Sequence, residues 1–190
     1  MTDAFLTRGD LDVIPIGTVP EATTAAASVA VESSLPISTR VTPPMPLDEP
    51  LSDGSPSLRT LAHDPATDTY DPEQLLVVPA RATEAEYAVG VTTAPFRYRG
   101  GEAFGVAAVG ANAALVSAAD FGPPDAERTR DRVGTETLKM VATTLGVRRC
   151  STANCAVRGA DTVAELDRLD PATCDDCTDR IGAALDLVRA

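Results

Sequence analysis

The sequence predicts an α+β fold in which helices pack on one mixed β-sheet. Short apolar runs bounded by glycine or proline, such as residues 11–17 and 87–92, are typical of buried strands. Residues 125–145 instead repeat their apolar side chains at spacings of three to five, as one face of a helix does. All four cysteines come after these elements, between residues 150 and 177, which indicates a short tail region at the end of the fold.

The first part of the chain predicts two strands with a helix between them. Residues 11–17 form the first strand; Pro15 has no N–H to donate, so we expect it at a sheet edge or at the end of the strand. The alanine-rich residues 20–33 predict a helix that begins near its proline, and residues 37–41 predict the second strand. Repeated prolines over residues 42–57 predict an irregular loop.

The middle of the chain predicts a capped helix and three more strands. Asp71 can accept hydrogen bonds from the first turn of a helix, and Pro72 suits its first position. Residues 87–92 predict the third strand. Residues 104–109 and 113–117 predict two short buried strands, separated by a turn that contains glycine and asparagine.

Two further helices are predicted. The longer one covers residues 125–145 and ends before Gly146, which suits the left-handed conformation that often terminates a helix. The second covers residues 174–188. The side chains expected to face the core are Val133, Leu138, Val141, Ala142 and Leu145 in the first helix, and Ile181, Leu185 and Val188 in the second.

The charge of the chain excludes one class of function. Its 190 residues include 16 basic and 28 acidic side chains, for a formal net charge of -12. Because nucleic-acid affinity depends on neutralising phosphates, we expect no nucleic-acid partner. Lys139 is the single lysine, and this acidic, lysine-poor, alanine-rich composition is typical of proteins that stay soluble in concentrated salt. An acidic protein without salt adaptation is the alternative.

No segment predicts export or membrane insertion. The N-terminus lacks a basic cluster followed by an apolar run, so we see no signal peptide. The longest apolar stretch, residues 104–119, contains glycines and an asparagine and falls short of the roughly 20 apolar residues of a membrane helix. We therefore expect a soluble, cytoplasmic monomer without a membrane partner.

The cysteine spacing predicts a metal site. Cys150 and Cys155 form a C-x4-C pair, and Cys174 and Cys177 form a C-x2-C pair 18 residues further on. Two such pairs can place four thiolates around Zn²⁺. Two disulfides are an alternative, but disulfides rarely persist in a reducing compartment. A redox C-x-x-C is a weaker alternative, because the two aspartates inside it oppose thiolate formation.

A site made of four cysteines has no position left for water, so we expect it to hold one zinc ion in a structural role. Arg148, Arg149 and Arg158 are expected to offset part of its negative charge. The prediction for the whole chain is a single domain over residues 1–190. It comprises a flexible N-terminus (1–10), a core of sheet and helices (11–146) and a structural-zinc subdomain (147–190).

The cysteine pattern resembles that of the archaemetzincins, a family of metzincin-like zinc metallopeptidases. Their signature is H-E-x-x-H-x-x-G-x-x-H-C-x4-C-x-M-x17-C-x-x-C. The four cysteines match it, and Gly146 falls on its glycine. Val157 stands at the methionine position, followed by 16 residues rather than 17. Weaker similarities lie upstream, in the strand ending at residue 17, at the helix start near residue 71 and at residues 89–92. The resemblance implies a zincin-like fold.

The same alignment implies that the catalytic half of the motif is absent. Lys139, Thr143 and Arg149 stand where the family has its three histidines, and Met140 replaces the general-base glutamate. The family uses these groups to hold a zinc ion and to activate its water. His63 is the single histidine in the chain and cannot rebuild a site of three imidazoles. The resemblance therefore implies no catalytic residues and a relative that has lost the catalytic zinc.

Several alternatives stay open at this stage. Lys139 and Arg149 could bind an anion or a peptide carboxylate in the vacated cleft, or they could pair with acidic neighbours. The chain could also be an active metallopeptidase, or another hydrolase, that uses unconventional residues. A zinc-knuckle nucleic-acid binder is disfavoured, because residues 151–177 carry many acids and no aromatic side chain.

Overall fold

A computed structural model describes residues 11–51, 54–98, 101–124 and 126–188. The predicted flexible N-terminus, residues 1–10, lies outside the described residues. Among the helices that are described, none combines the length and the apolar character needed to cross a bilayer.

The secondary structure alternates between strands and helices along the chain. The strands are β1 (Leu11–Ile16), β2 (Thr39–Val41), β3 (His63–Asp64), β4 (Thr69–Tyr70), β5 (Tyr87–Thr92), β6 (Phe96–Tyr98), β7 (Gly101–Ala103), β8 (Gly105–Ala107) and β9 (Ala113–Ser117). The helices are α1 (Glu21–Ser34), α2 (Leu58–Ala62), α3 (Pro72–Ala82), α4 (Glu127–Thr144), α5 (Val163–Leu166) and α6 (Asp175–Val188), with a 3₁₀ turn at Ala156–Arg158.

The main sheet has five strands in the order β2-β1-β5-β9-β8. The first four run parallel, and β8 is antiparallel to β9 at one edge. Val13 lies opposite Val41 on one side and Val89 on the other, which sets the register of the central strands. The prediction of helices on a mixed sheet is therefore confirmed.

Helices cover both faces of this sheet because the central strands are buried on both sides. On one face, α1 and α4 pack together over residues such as Val13 and Val89, and α6 joins the same apolar cluster through Ile181 and Leu185. On the other face, Leu75 of α3 packs with side chains from β1 and β9. The tail of the chain thus shares the core of the α1–α4 face.

Helices α1 and α4 approach closely at Gly134. A Cβ atom on this residue would lie 2.9 Å from the Cβ of Ala30, closer than carbon atoms pack. A glycine in the middle of α4 is therefore needed for the packing of the two helices, although glycine weakens a helix interior.

Helix α3 and the central strands were correctly predicted from local signals. Asp71 caps α3 by accepting a hydrogen bond from the backbone N–H of Glu73 at 2.9 Å, and Pro72 occupies the first helical position. Strand β5 has the predicted bounds, and β1 ends directly before Gly17. Gly146 has a φ of 74° after α4, as predicted.

Pro15 lies at the end of its strand, one of the two positions predicted for it: β1 runs between β2 and β5, and Pro15 is next to its last residue. Its position is tolerated because β2 has ended at Val41; the carbonyl of Pro15 accepts a hydrogen bond from the N–H of Met45 instead. Strand β8 is shorter than predicted and only half-buried, because it forms the edge of the sheet, and Val109 beyond it is 73% exposed.

A second, small sheet was not predicted. Strands β3, β4, β6 and β7 form it in that order, outside the main sheet. Two of them have only two residues, too few to display an alternating pattern. Among the side chains expected in the core, Ile181 and Leu185 are buried, whereas the side chain of Val188 lies outside what the structure describes.

Candidate metal centre and the adjoining helix

The four cysteines follow α4 in the chain, and their side chains converge on one point. Cys150 follows the loop after α4, Cys155 precedes the 3₁₀ turn, and Cys174 and Cys177 flank the start of α6. Their sulfur atoms all lie within 4.8 Å of one another. Four sulfurs bound to one zinc ion at about 2.3 Å would stand about 3.8 Å apart, and the Sγ atoms of Cys150 and Cys174 are separated by 3.7 Å. The arrangement therefore fits a tetrahedral zinc site.

Backbone groups orient these sulfurs. The N–H of Thr152 donates to Sγ of Cys150 at 3.3 Å, and the N–H of Cys174 donates to Sγ of Cys155 at 3.4 Å. Burial raises the pKa of the Cys150 thiol, but the hydrogen bonds from Thr152, Cys177 and Cys174 together outweigh it and lower this pKa to about 6. Burial and the neighbouring thiols raise the pKa of Cys177. Without a cation, four thiolates at this spacing repel one another.

The arginines expected to balance the cluster are distributed around it. Arg158 donates from Nη1 to the carbonyl of Ala153 at 3.5 Å, and Arg149 forms an ion pair with Asp161 at 3.2 Å. Both arginines line a cavity of about 540 Å³ that Cys150 also borders. For Arg148, the carbonyl accepts a hydrogen bond from Arg180.

Two of the four positions aligned with the family's catalytic residues meet in space. A Cβ atom on Gly159 would lie 3.0 Å from Cδ of Lys139 and 3.1 Å from Nη2 of Arg149, so both cationic side chains pack against that glycine. Of the other two positions, Met140 lies toward the core and Thr143 is on the same helix face as Lys139. The hydroxyl of Thr143 donates to the carbonyl of Lys139 at 2.8 Å.

Sequence reasoning missed the carboxylate that completes this region. Glu136 lies one turn before Lys139 in α4, and its Oε1 is 2.7 Å from the ammonium of Lys139. The side chain of Glu136 has no exposed surface, and that of Lys139 is 15% exposed. Burial raises the pKa of Glu136, while Lys139 and then Arg149 lower it. The spacing of three residues in a helix was the only signal in the sequence that could have indicated this pair.

Glu136 is buried because β8 leaves room for it. A Cβ atom on Gly105 would lie 2.8 Å from Oε1 of Glu136, so the carboxylate rests on the bare backbone of the edge strand. Apart from the ion pair with Lys139, neither oxygen of this carboxylate has a hydrogen-bond donor among the described residues, and the buried hydroxyls of Thr135 and Thr137 have no partner there. Lys139 is therefore the neutralising partner of a deeply buried charge.

The two cations considered as an anion site are thus both paired. Lys139 contacts Glu136, and Arg149 contacts Asp161. This confirms the interpretation in which these charges pair with acidic neighbours. His63 lies far from them in the chain, on β3 of the small sheet, where its Nε2 is 2.9 Å from Oδ1 of Asp68.

Comparison with solved structures identifies the fold. An archaemetzincin from Methanopyrus kandleri superimposes with a TM-score of 0.78, covering 95% of this chain and 99% of that one at 22% identity. An archaemetzincin from Archaeoglobus fulgidus, solved as a complex with malonate, gives a TM-score of 0.73 over 90% of this chain and 99% of that one, also at 22% identity.

The chain has the archaemetzincin fold.

A zinc-dependent peptidase from Methanocorpusculum labreanum shares the archaemetzincin fold as well, with a TM-score of 0.72 and 17% identity over 90% of this chain and 99% of that one. Among sequence relatives, the archaemetzincin of Haloquadratum walsbyi is 25% identical over 178 residues, 88% of this chain and 96% of the relative. The archaemetzincin of Natronomonas pharaonis is 24% identical over 181 residues, which cover 90% of this chain and 98% of the relative. No family model matches the sequence. These archaemetzincins are similar to the chain over most of both sequences, and the four-cysteine cluster is suited to a zinc ion.

Proposed function

We propose that this chain is an archaemetzincin-like zinc protein without conventional peptidase activity. It holds one structural zinc ion on its four cysteines and no catalytic zinc. The observation that carries the proposal is the ion pair between Lys139 and the fully buried Glu136. An ammonium occupies the position that the family alignment assigns to the first metal-binding histidine, and it is fixed there by a carboxylate.

A cation at this position opposes metal binding in two ways. The ammonium has no lone pair to donate to a metal, and its charge repels a dication nearby. Releasing Lys139 from the site would also leave the charge of Glu136 buried and unpaired, which is costly. Arg149, which packs against Gly159 as Lys139 does, adds a second positive charge.

The assignment of the cysteines rests on chemistry and distance. Zinc favours thiolate ligands in a tetrahedron, and four protein sulfurs leave no site for an activated water. Among the residues that the structure describes, the cysteine cluster is the one group of three or more potential ligands that converge on a point. We propose Cys150, Cys155, Cys174 and Cys177 as the ligands and residues 147–190 as a zinc-stabilised part of a single domain.

Two further proposals concern the conditions in which the protein works. The excess of acidic over basic side chains and the near absence of lysine favour a protein adapted to high salt. Four free thiols at zinc-binding distances suit a reducing compartment, so we place the protein in the cytoplasm.

Metal analysis together with a peptidase assay tests the proposal. Purified protein should contain one zinc per chain and should not cleave a mixed peptide library in high salt, with or without added Zn²⁺. An archaemetzincin with an intact motif, assayed in parallel, controls for the conditions. Two zinc ions per chain, or hydrolysis that a chelator abolishes, would contradict the proposal and favour an active metallopeptidase with unconventional ligands.

A further inference from the structure

A cavity whose lining includes none of the four cysteines lies where β1 and β5 end. These strands are parallel neighbours in the sheet, but the chain leaves them toward opposite edges. After β1 it continues to β2 on one side, and after β5 it continues toward β9 on the other. Helix α1, which follows β1, covers one face of the sheet, and α3, which precedes β5, covers the other. In sheets of this kind the loops at the carboxyl ends separate and leave a crevice, where ligands bind.

The crevice is present. A cavity of about 770 Å³ is bordered by Gly17 and Thr18 directly after β1, and by Thr93, Ala94 and Pro95 directly after β5. Its other walls come from the proline-rich loop and from Tyr70 of the small sheet. The unpredicted second sheet therefore contributes one residue, Tyr70, to the wall of this cavity.

Tyr70 contributes a polar group to the wall of the cavity. The residue is only 4% exposed, it borders the cavity, and no described residue hydrogen-bonds its hydroxyl. Its ring is held by His63, with centroids 4.9 Å apart, and by the guanidinium of Arg59 at 5.7 Å. Burial raises the pKa of Tyr70, so the phenol stays protonated and its oxygen remains available as an acceptor. The Tyr70 hydroxyl is not one of the fully buried polar atoms that lack a partner, so it is open to the cavity, where a ligand or water can hydrogen-bond to it.

The charges around the cavity indicate what such a ligand would be. Three carboxylates, from Asp48, Glu49 and Asp68, border it, against the single guanidinium of Arg59. Arg59 is already paired with Asp48. The groups left to a ligand are therefore mostly acceptors with negative charge, and they lie beside a protonated phenol. Asp68, which is 93% exposed and contacts His63, holds a φ of 52°, a backbone conformation that few side chains adopt.

We propose that this cavity binds a small organic cation with a primary ammonium group. The ammonium would donate hydrogen bonds to the hydroxyl of Tyr70 and to the carboxylate of Asp68. The apolar rings of Pro44 and Pro46 and the side chain of Leu47 line the same cavity and suit a short alkyl chain. The site is separate from the cysteine cluster and from Lys139, so it does not depend on the function proposed above.

Titration with putrescine, followed by amide NMR signals at a constant KCl concentration, tests this proposal. Putrescine carries an ammonium group at each end of a four-carbon chain. We expect saturable shifts at Gly17, Thr18 and Thr93, and none with 1,4-butanediol, which has the same length without charge. Tyr70→Phe removes one hydrogen bond to a charged group and should weaken binding roughly tenfold. Asp68→Asn should do the same, and asparagine tolerates the left-handed backbone at this position.

Tyr98→Phe is the matched control, because the Tyr98 hydroxyl donates to Glu73 and does not border the cavity; its affinity should equal that of the wild type. Three results would overturn the proposal. They are putrescine shifts spread over the acidic surface, equal shifts with the diol, and a Tyr70→Phe variant that binds as tightly as the wild type.

Discussion

The ammonium of Lys139 lies 2.7 Å from Oε1 of Glu136, a carboxylate with no exposed surface. Both residues belong to α4, three positions apart, and the pair is covered by the edge strand at Gly105. A buried ion pair adds little net stability, but either charge alone is destabilising in such a place. The two residues therefore depend on each other, which makes the pair accessible to a double-mutant cycle.

Lys139→Met should destabilise the protein strongly. It leaves Glu136 buried without a partner, at a cost of about 3–5 kcal/mol in the free energy of unfolding at neutral pH. Glu136→Leu should cost less, because Lys139 is partly exposed and can reach water. The double variant should regain most of the loss, since apolar residues can replace a buried pair. Chemical denaturation of all four proteins measures the coupling.

The pH dependence of the Lys139→Met variant provides the control for this cycle. Burial raises the pKa of Glu136 in the folded state, so the protonated form favours folding at low pH, and this contribution is lost as pH rises. The deficit of Lys139→Met should therefore shrink toward acidic pH. A deficit that stays constant with pH would show that lost packing, not an unpaired charge, is responsible.

Restoring the family motif should create a second metal site. Lys139→His, Met140→Glu, Thr143→His and Arg149→His together rebuild H-E-x-x-H-x-x-G-x-x-H around the existing Gly146. Positions 139 and 143 share a helix face, and residues 139 and 149 already meet at Gly159. We expect two zinc ions per chain and hydrolysis that a chelator inhibits.

The control for this design is the same variant with Met140→Gln in place of Met140→Glu. It should bind two zinc ions but cleave peptides far more slowly, because glutamine cannot act as the general base. A rebuilt chain that still holds one zinc would mean that the backbone of this region no longer presents a metal site.

Loss of a single cysteine should release the zinc and destabilise the tail. Cys177→Ser removes a fully buried sulfur of the proposed zinc site, and a structural zinc ion contributes its binding energy to folding. We expect a zinc content near zero and a melting temperature lower by several degrees or more. Ser151→Ala, an exposed change beside Cys150, should keep one zinc per chain. Full zinc retention by Cys177→Ser would exclude the four-sulfur site.

Replacing glycine by alanine should lower the stability of the protein at Gly134 and raise it at Gly182. Gly134→Ala places a carbon 2.9 Å from Ala30 in the contact of α1 with α4, and overpacking of this kind costs about 1–3 kcal/mol, partly offset by better helix propensity. Gly182→Ala in α6 meets no atom within 4 Å and should stabilise by up to about 1 kcal/mol. Thermal unfolding of the two variants checks the sign of each effect.

The buried carboxylate of Asp12 should make the protein sensitive to acid. It accepts hydrogen bonds from Arg40 at 2.9 and 3.0 Å and from the hydroxyl of Thr83 at 2.9 Å. Burial alone would raise the pKa of Asp12, but these partners lower it below its usual value. A lowered folded-state pKa means that the stabilisation is present at neutral pH and disappears as pH falls through that lowered value.

Asp12→Asn should therefore lower the free energy of unfolding by about 1.5–3 kcal/mol at pH 7. The difference in stability from the wild type should become smaller at acidic pH. Asp48→Asn is the matched control, because Asp48 pairs with Arg59 on the surface and exposed pairs contribute about 0–1 kcal/mol. Equal destabilisation by both variants would argue against a special role for Asp12.

Local signals predicted the parts of the fold that local chemistry decides. Asp71 and Pro72 marked the start of α3, and the spacing of apolar residues located α4, because caps and periodicity act within one turn or a few. The cysteine spacing predicted which side chains would meet. Glu136 could not be placed in this way, since a glutamate in a helix is normally solvated and its burial depends on a glycine in a distant strand.

The cysteine cluster is not equally protected on all sides. Cys155 and Cys177 are buried, whereas Cys150 and Cys174, whose sulfurs are 3.7 Å apart, are partly open to solvent. An oxidant or a competing chelator would therefore arrive first at that open pair. Damage to the centre would begin from a single direction, and the two inner thiols would be the last to react.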